Sequence, residues 1–435
     1  MDIKPSSSLF NNSLGDFIVK KINTPNFQGL ITYAGGTSIA QALMMVYALL
    51  LARWLGPDDY GYFTTGYSIT TLSAFLINWG MDTWLLRRGA IGTDPRTWVG
   101  FILKTKLILY LIWAPLLVTS ITYFRPGLLQ PIFLAICTVD IWIDSSFTTI
   151  ISGLNIKQKY QQIAILLFLS RAGRIIGLLI LILIGQNAPL LFGIFRSIAT
   201  IFSLVAAMLV FRPLYNKPDQ FSNIPQLTRE LAPFSVSDFF AIIYLMVDVS
   251  ILAFIKGQQE VGLYAPAVGL VNALFIIPNT FYLAYIPILT GRMNSDIPLP
   301  IGSLWKFMII FSGTGVLLSV GVAITSHFVV QFVLGTSYIE TGNLLFILSP
   351  ILLFKSLQFG IVGIIVAAGW QKRRLLPQGI AALINLIFNL LLIPKLGAFG
   401  SAIAYNISEI TLLIGYSILL FFWAKSYFKN LFVRK

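Results

Sequence analysis

The chain has 435 residues, of which 57% are hydrophobic and 11% charged, with a mean hydropathy of +0.83. A soluble domain carries about 25% charged residues, so this composition excludes a soluble enzyme and requires a membrane protein with many spans. The formal net charge of +14 does not call for nucleic acid, because multispanning proteins hold Lys and Arg in their cytoplasmic loops.

Residues 1–29 are mostly polar and lack the continuous apolar run of a cleavable signal peptide; they read as a cytoplasmic N-terminal segment. Apolar stretches of about 20 residues, each long enough to cross a bilayer core, then recur along the chain. They predict twelve spans near 30–53, 61–82, 100–123, 129–152, 162–184, 188–211, 231–255, 262–289, 304–327, 343–369, 377–394 and 398–423. All must be helices, since lipid offers no partner to free backbone groups. The fold class is therefore all-α: a polytopic membrane protein with an N-terminal six-helix bundle (30–211), a cytoplasmic linker (212–230), a C-terminal six-helix bundle (231–423) and a cytoplasmic tail (424–435). The connection "RPLYNKPDQFSNIPQLTRE" reads as the linker through its Pro and Asn content. The loops on the outer side are short, the longest at roughly 328–342.

With the N-terminus placed inside, 22 of the 30 basic residues fall on the cytoplasmic side, four outside and four within spans. That asymmetry puts both termini in the cytoplasm. Trp54, Trp305, Trp370 and Trp423 sit near span ends, as an aromatic belt requires. The single cysteine, Cys137, excludes an intrachain disulfide.

Each half opens with the same punctuation. "LLARWLGPDDYGYF" (50–63) aligns without gaps on "ILAFIKGQQEVGLY" (251–264), 201 residues later, pairing Gly56 with Gly257, Asp59 with Glu260 and Gly61 with Gly262. Gly56 and Gly257 suit the left-handed position that ends a helix. Asp58, Asp59 and Glu260 suit a helix start, where the dipole favours negative charge. Gly61 and Gly262 permit close helix approach. Both copies face outward, so the internal repeat is parallel, an architecture typical of transporters with a site between halves.

"LLARWLGPDDYGYFTTGYSITTLSAFLINWGMDTWLLRRGA" resembles the first two helices of Wzx-type polysaccharide flippases of the multidrug/oligosaccharidyl-lipid/polysaccharide exporter superfamily. "VDVSILAFIKGQQEVGLYAPAVGLVNALFIIPNTFYLAYIPILTGR" resembles the start of their second half, and "IPKLGAFGSA" their closing helices. The resemblance implies two bundles around a cavity open alternately to each side. It implies export of undecaprenyl-pyrophosphate-linked oligosaccharide across a bacterial or archaeal plasma (inner) membrane. Membrane lipids, a glycan polymerase and glycosyltransferases are the partners it suggests.

Ionisable residues within spans mark pathways or coupling sites by default. Span 4 carries Asp140 and Asp144 at i,i+4, on one face; span 5 carries Arg171 and Arg174 at i,i+3. Two roles stay open: neutralising pairs between adjacent helices, or arginines lining a watery cavity where the planar fork binds pyrophosphate oxygens. Arg196 and Lys355 read as lone mid-membrane cations lining the cavity. Asp238 and Asp248 in span 7, like Asp140 and Asp144, are candidate proton or Na⁺ coupling sites, or acids that fix bundle packing. Glu409 is a further candidate, and Asn385 and Asn389 read as interhelical contacts. The sequence contains no Cys/His cluster, G-x-S-x-G or P-loop, and no cofactor is expected beyond a coupling ion. Two alternatives accompany the flippase reading: an ion-coupled amphiphile or drug exporter of the same superfamily, and a glycan polymerase or ligase. Four mid-membrane bases weigh against the first, and short outer loops against the second.

Overall fold

The computed structural model describes residues 25–88, 94–215, 224–293 and 301–433, and all regular structure among them is helical. In chain order the helices are α1 (Pro25–Ser73), α2 (Phe75–Asn78), α3 (Met81–Arg88), α4 (Pro95–Phe124), α5 (Pro131–Ile156), α6 (Tyr160–Leu183), α7 (Pro189–Phe211) and α8 (Ile224–Lys256). There follow α9 (Gln258–Leu274), α10 (Ile276–Met293), α11 (Ile301–Val333), α12 (Ile339–Leu348), α13 (Pro350–Ala367), α14 (Leu375–Leu396) and α15 (Ala398–Val433). Lys4, Lys20, Lys21, Lys217, Arg434 and Lys435 of the charge asymmetry lie outside the described residues.

Eleven stretches among the described residues are long and apolar enough to cross a membrane. The first, Thr32–Asn78, has 47 residues and would be about 70 Å long if straight, more than twice the hydrocarbon thickness of roughly 30 Å. It reverses at Gly56. Before that point Gly29 and Gly36 lie against Tyr160 and Ala164 at the start of α6, and Trp54 donates to the Gln186 carbonyl just past its end. After it, Gly66 lies against Phe133 and Cys137 near the start of α5, and Asp82 accepts from Thr149 further along. The two limbs therefore follow antiparallel neighbours and count as two spans, so the described residues supply twelve span-length limbs. The expected twelve-span all-α architecture is what forms.

Local chemistry starts and stops these helices. Pro95, Pro131 and Pro189 occupy first-turn positions, where the missing N–H costs nothing. Asp94 caps α4 by accepting from the Arg96 N–H at 3.0 Å. At the end of the molecule away from the termini, here the hairpin end, Gly56, Gly127, Gly185, Gly257, Gly335 and Gly397 all have positive φ. Gly56 (φ 76°, ψ 173°) and Gly257 (φ 95°, ψ −174°) share one conformation. It is not the left-handed helical one expected: extended ψ with positive φ is a region that essentially only glycine enters.

Three boundaries differ from expectation. Residues 224–230 of the supposed linker are the first turns of α8, with Leu231 buried. The loop expected at 328–342 shrinks, because the apolar run "FVVQFV" continues α11 to Val333 and a 3₁₀ turn at Thr336–Tyr338 leads into α12. The last span continues as helix to Val433 in place of a separate tail.

The repeated motif is where the halves meet. A Cβ on Gly61 would lie 1.8 Å from the Gln258 carbonyl oxygen, and one on Gly262 would lie 1.7 Å from that of Pro57. Residues 57 and 61 correspond to 258 and 262 in the 201-residue register, so the contact is reciprocal, as around a two-fold axis. Further bonds close the hairpin end: Tyr338 Oη donates to the Ala52 carbonyl (2.6 Å), Arg53 to that of Phe332 (3.1 Å), and Arg125 and Gln258 to those of Phe254 and Leu128. Toward the other end span 2 is broken, with Trp79 (φ 42°) and Gly80 (φ 66°) between α2 and α3. There the Trp79 carbonyl accepts from Ser235 of α8 at 2.7 Å.

Candidate functional site

In the N-terminal half the mid-span charges assemble into one network. Arg174 Nη2 lies 2.5 Å from Asp144 Oδ1 and donates to Thr200 Oγ1 at 3.1 Å. Thr200 donates in turn to Asp140 (2.7 Å), whose other oxygen lies 2.8 Å from Arg196 Nε. The Arg196 guanidinium also stacks 3.7 Å above the Tyr67 ring, a favourable place for a cation. Arg171 stands at the edge, 3.9 Å from Asp144. The helical spacings explain the assembly: i,i+4 acids on α5 meet i,i+3 bases on α6, and Arg196 of α7 closes the set. Arg174 and Asp140 are buried, whereas the side chains of Asp144 and Arg171 are 31% and 20% exposed. Three guanidinium groups thus face two carboxylates, leaving an excess positive charge at the exposed side.

The C-terminal half holds a second pair. Lys355 Nζ lies 2.7 Å from Glu409 Oε1 and donates to Tyr244 Oη at 3.1 Å. Tyr244 donates to the same carboxylate, and Gln358 donates to its other oxygen at 2.7 Å. Lys355 and Arg196 are therefore not lone cations. Single-sequence reading missed this because an ion pair between helices far apart in the chain leaves no local spacing signal. Both halves bridge their fourth and sixth spans with an ion pair, but in opposite sense. The acid is on span 4 and the base on span 6 in the first half; the base is on span 10 and the acid on span 12 in the second.

A cavity of about 460 Å³ opens beside the second pair, walled by Tyr244, Phe275, Tyr282, Phe359 and Tyr416, with Lys355, Gln358, Arg374 and Gln378 as its polar groups. This is the size and mixed character of a ligand pocket. Arg171, Arg174 and Arg196 do not line it. Arg374, which the charge pattern assigns to the cytoplasmic side, is drawn in because α14 begins at Leu375 and Arg374 occupies its N-cap position.

The two span-7 acids are separated. Asp248 is buried and accepts from Tyr264 at 2.7 Å, whereas half-buried Asp238 faces Thr83 of α3 at 3.4 Å, across the two halves. Asn385 donates to Ser408 of α15 at 3.0 Å, the interhelical contact expected. Glu260 lies in the first turn of α9, as expected, but its carboxylate reaches over to accept the Ala398 N–H of α15 at 2.7 Å. One buried ion pair escaped the sequence reading. Lys106, fully buried, lies 2.8 Å from Asp82 and donates to Ser145 Oγ at 2.8 Å. Both residues fall near predicted span ends, where charge is ordinary. Among the described residues no three of His, Cys, Asp and Glu gather as a metal site.

The profile of the polysaccharide biosynthesis protein family matches residues 27–293, more than half of the chain. No curated protein matches in sequence. Among solved structures, the lipid II flippase MurJ in an inward closed conformation superposes with a TM-score of 0.69 at 16% identity, covering 91% of this chain and 87% of that one. An inward-facing MATE multidrug resistance transporter of the MOP superfamily gives 0.57 at 13%, covering 89% and 96%. A MOP-superfamily transporter from Pyrococcus furiosus, described as having a binding pocket of reverse polarity, gives 0.58 at 13%, covering 92% and 97%. At these identities the likeness is one of fold. The chain belongs to the polysaccharide biosynthesis protein family and is a multi-pass membrane protein with the fold of these transporters.

Proposed function

We propose that this protein is an alternating-access flippase that carries an undecaprenyl-pyrophosphate-linked oligosaccharide across the plasma membrane for surface polysaccharide assembly. The observation that carries the reading is the excess of base over acid in the mid-membrane network: Arg171, Arg174 and Arg196 against Asp140 and Asp144. Leaving a net positive charge at membrane depth is costly, and an anionic headgroup supplies the missing counter-charge. Family membership and the flippase named among the solved folds support the same reading.

In this reading the pyrophosphate and sugars enter the polar interior, and the polyprenyl chain stays in lipid. The hairpin end, closed by Gly61, Gly262 and the carbonyl bonds around them, opens as the halves rock. Asp140, Asp144, Asp238 and Asp248 are the candidate carriers of a coupling proton or Na⁺. In this reading both termini lie in the cytoplasm, which the Lys and Arg asymmetry of the sequence supports. The test is export. Arg171→Ala should abolish surface glycan at normal protein level, and so should Lys355→Ala when Glu409→Gln is added so that no buried carboxylate loses its counter-ion; normal glycan in both would overturn the assignment. Transport in proteoliposomes under a pH gradient or a Na⁺ gradient identifies the coupling ion. An excess of base over acid disfavours the drug-exporter alternative, whose cationic cargo would meet repulsion.

A further inference from the structure

The cavity of the C-terminal half contains two cations, and their situations differ. Lys355 is neutralised: Glu409 holds it at 2.7 Å, and Tyr244 and Gln358 complete that carboxylate's bonding. Arg374 has no acidic side chain within 4 Å among the described residues. Its side chain hydrogen-bonds the Tyr416 hydroxyl and its guanidinium carbon lies 5.6 Å from the centre of that ring, while its Nε is shielded from solvent without a hydrogen-bond partner. Its neighbour Arg373 is exposed and stacks 3.7 Å over Trp370; it is not among the residues lining the cavity.

We infer that Arg374 is an anion-binding residue of this cavity, receiving the phosphate oxygens of a pyrophosphate ester whose apolar or sugar portion lies against Tyr282, Phe359 and Tyr416. The inference rests on the flippase reading and adds to it the residue that meets the headgroup first. A guanidinium paired with no carboxylate keeps N–H donors for two phosphate oxygens, whereas an anion approaching Lys355 must first displace Glu409. Gln378, one turn into α14 and also in the wall, supplies an uncharged amide donor at the same mouth. Aromatic walls without acids suit a ligand that is anionic at one point and apolar or carbohydrate elsewhere.

The test uses the full chain, purified and reconstituted in phosphatidylcholine nanodiscs, with radiolabelled farnesyl pyrophosphate as probe. Loss of a charge-assisted hydrogen bond predicts that R374Q weakens binding by about 10- to 100-fold. R373Q should bind like the parent, and R374K, which keeps charge without the planar fork, should fall between. Farnesol, which lacks the phosphates, should bind parent and R374Q equally weakly. Parent-like affinity in R374Q overturns the inference. Equal displacement of the probe by phosphatidylglycerol also overturns it, since the site would then read any lipid phosphate. If R374Q does not fold, parent-like affinity in R374K overturns the inference in its place. Lost probe binding in R374Q with normal surface glycan in Arg171→Ala and in Lys355→Ala combined with Glu409→Gln leaves the anion site standing and removes the flippase reading. Normal probe binding in R374Q with glycan lost in those two variants does the reverse.

Discussion

Replacing Gly61 by Ala tests whether the duplicated motif is a gate. A methyl group there would stand 1.8 Å from the Gln258 carbonyl oxygen, where ordinary contact begins near 3.4 Å. The obstacle is backbone, so no side chain can swing aside, and the halves must part by about 1.6 Å. Overpacking of this kind costs about 1–3 kcal/mol. If only the state closed at the hairpin end bears that cost, the equilibrium shifts toward the open state by about 5- to 150-fold. Ala52 reports on it: the residue is fully buried, and its carbonyl is covered by Tyr338. In a Cys137→Ser background, Ala52→Cys should react with a membrane-impermeant maleimide faster by that factor when Gly61→Ala is added. Gly35→Ala is the control, since a Cβ there meets nothing within 4 Å. A lowered melting temperature with unchanged labelling would refute the reasoning, because the cost would then fall on the fold and not on the opening equilibrium.

Other outcomes follow from the buried charges. Glu409→Gln strips Lys355 of its counter-ion and should lower stability by about 3–5 kcal/mol; adding Lys355→Met should recover most of it in a detergent melt. Asp82→Asn should have a comparable effect through Lys106, with Lys106→Met as the compensating change and folded yield as the measure. Tyr264→Phe removes the 2.7 Å hydrogen bond to buried Asp248 and should cost about 1–3 kcal/mol, read as a lower melting temperature. A Tyr264→Phe protein as stable as the parent would mean that water or another donor replaces the phenol.

Much of the site's membership was legible in the chain, but little of its wiring. Asp140, Asp144, Arg171 and Arg174 stand out because charge in an apolar run is conspicuous and helical spacing puts each pair on one face. Which acid meets which base is a tertiary matter: Arg174 takes Asp144 and Arg196 takes Asp140. Lys355 and Arg196 read as unpaired because their partners are on helices distant in sequence. Arg374 and Lys106 were hidden for a different reason. Near a span end a base fits the cytoplasmic loop pattern, and only the packing of α14 and α4 shows one turned into a cavity and the other buried.

The chain by itself determined the membrane class, the twelve spans and the parallel duplication. Those depend on local quantities: the length of apolar runs and two ungapped copies of one glycine-bearing turn. Only the tertiary structure decided that the two copies press against each other, carbonyl to glycine, and that the ion pairs of the two halves run in opposite sense. The physical reason is range. Hydrophobicity and turn geometry act within a few residues, whereas close approach and charge pairing are set by helices that the chain brings together from tens of residues to about two hundred apart.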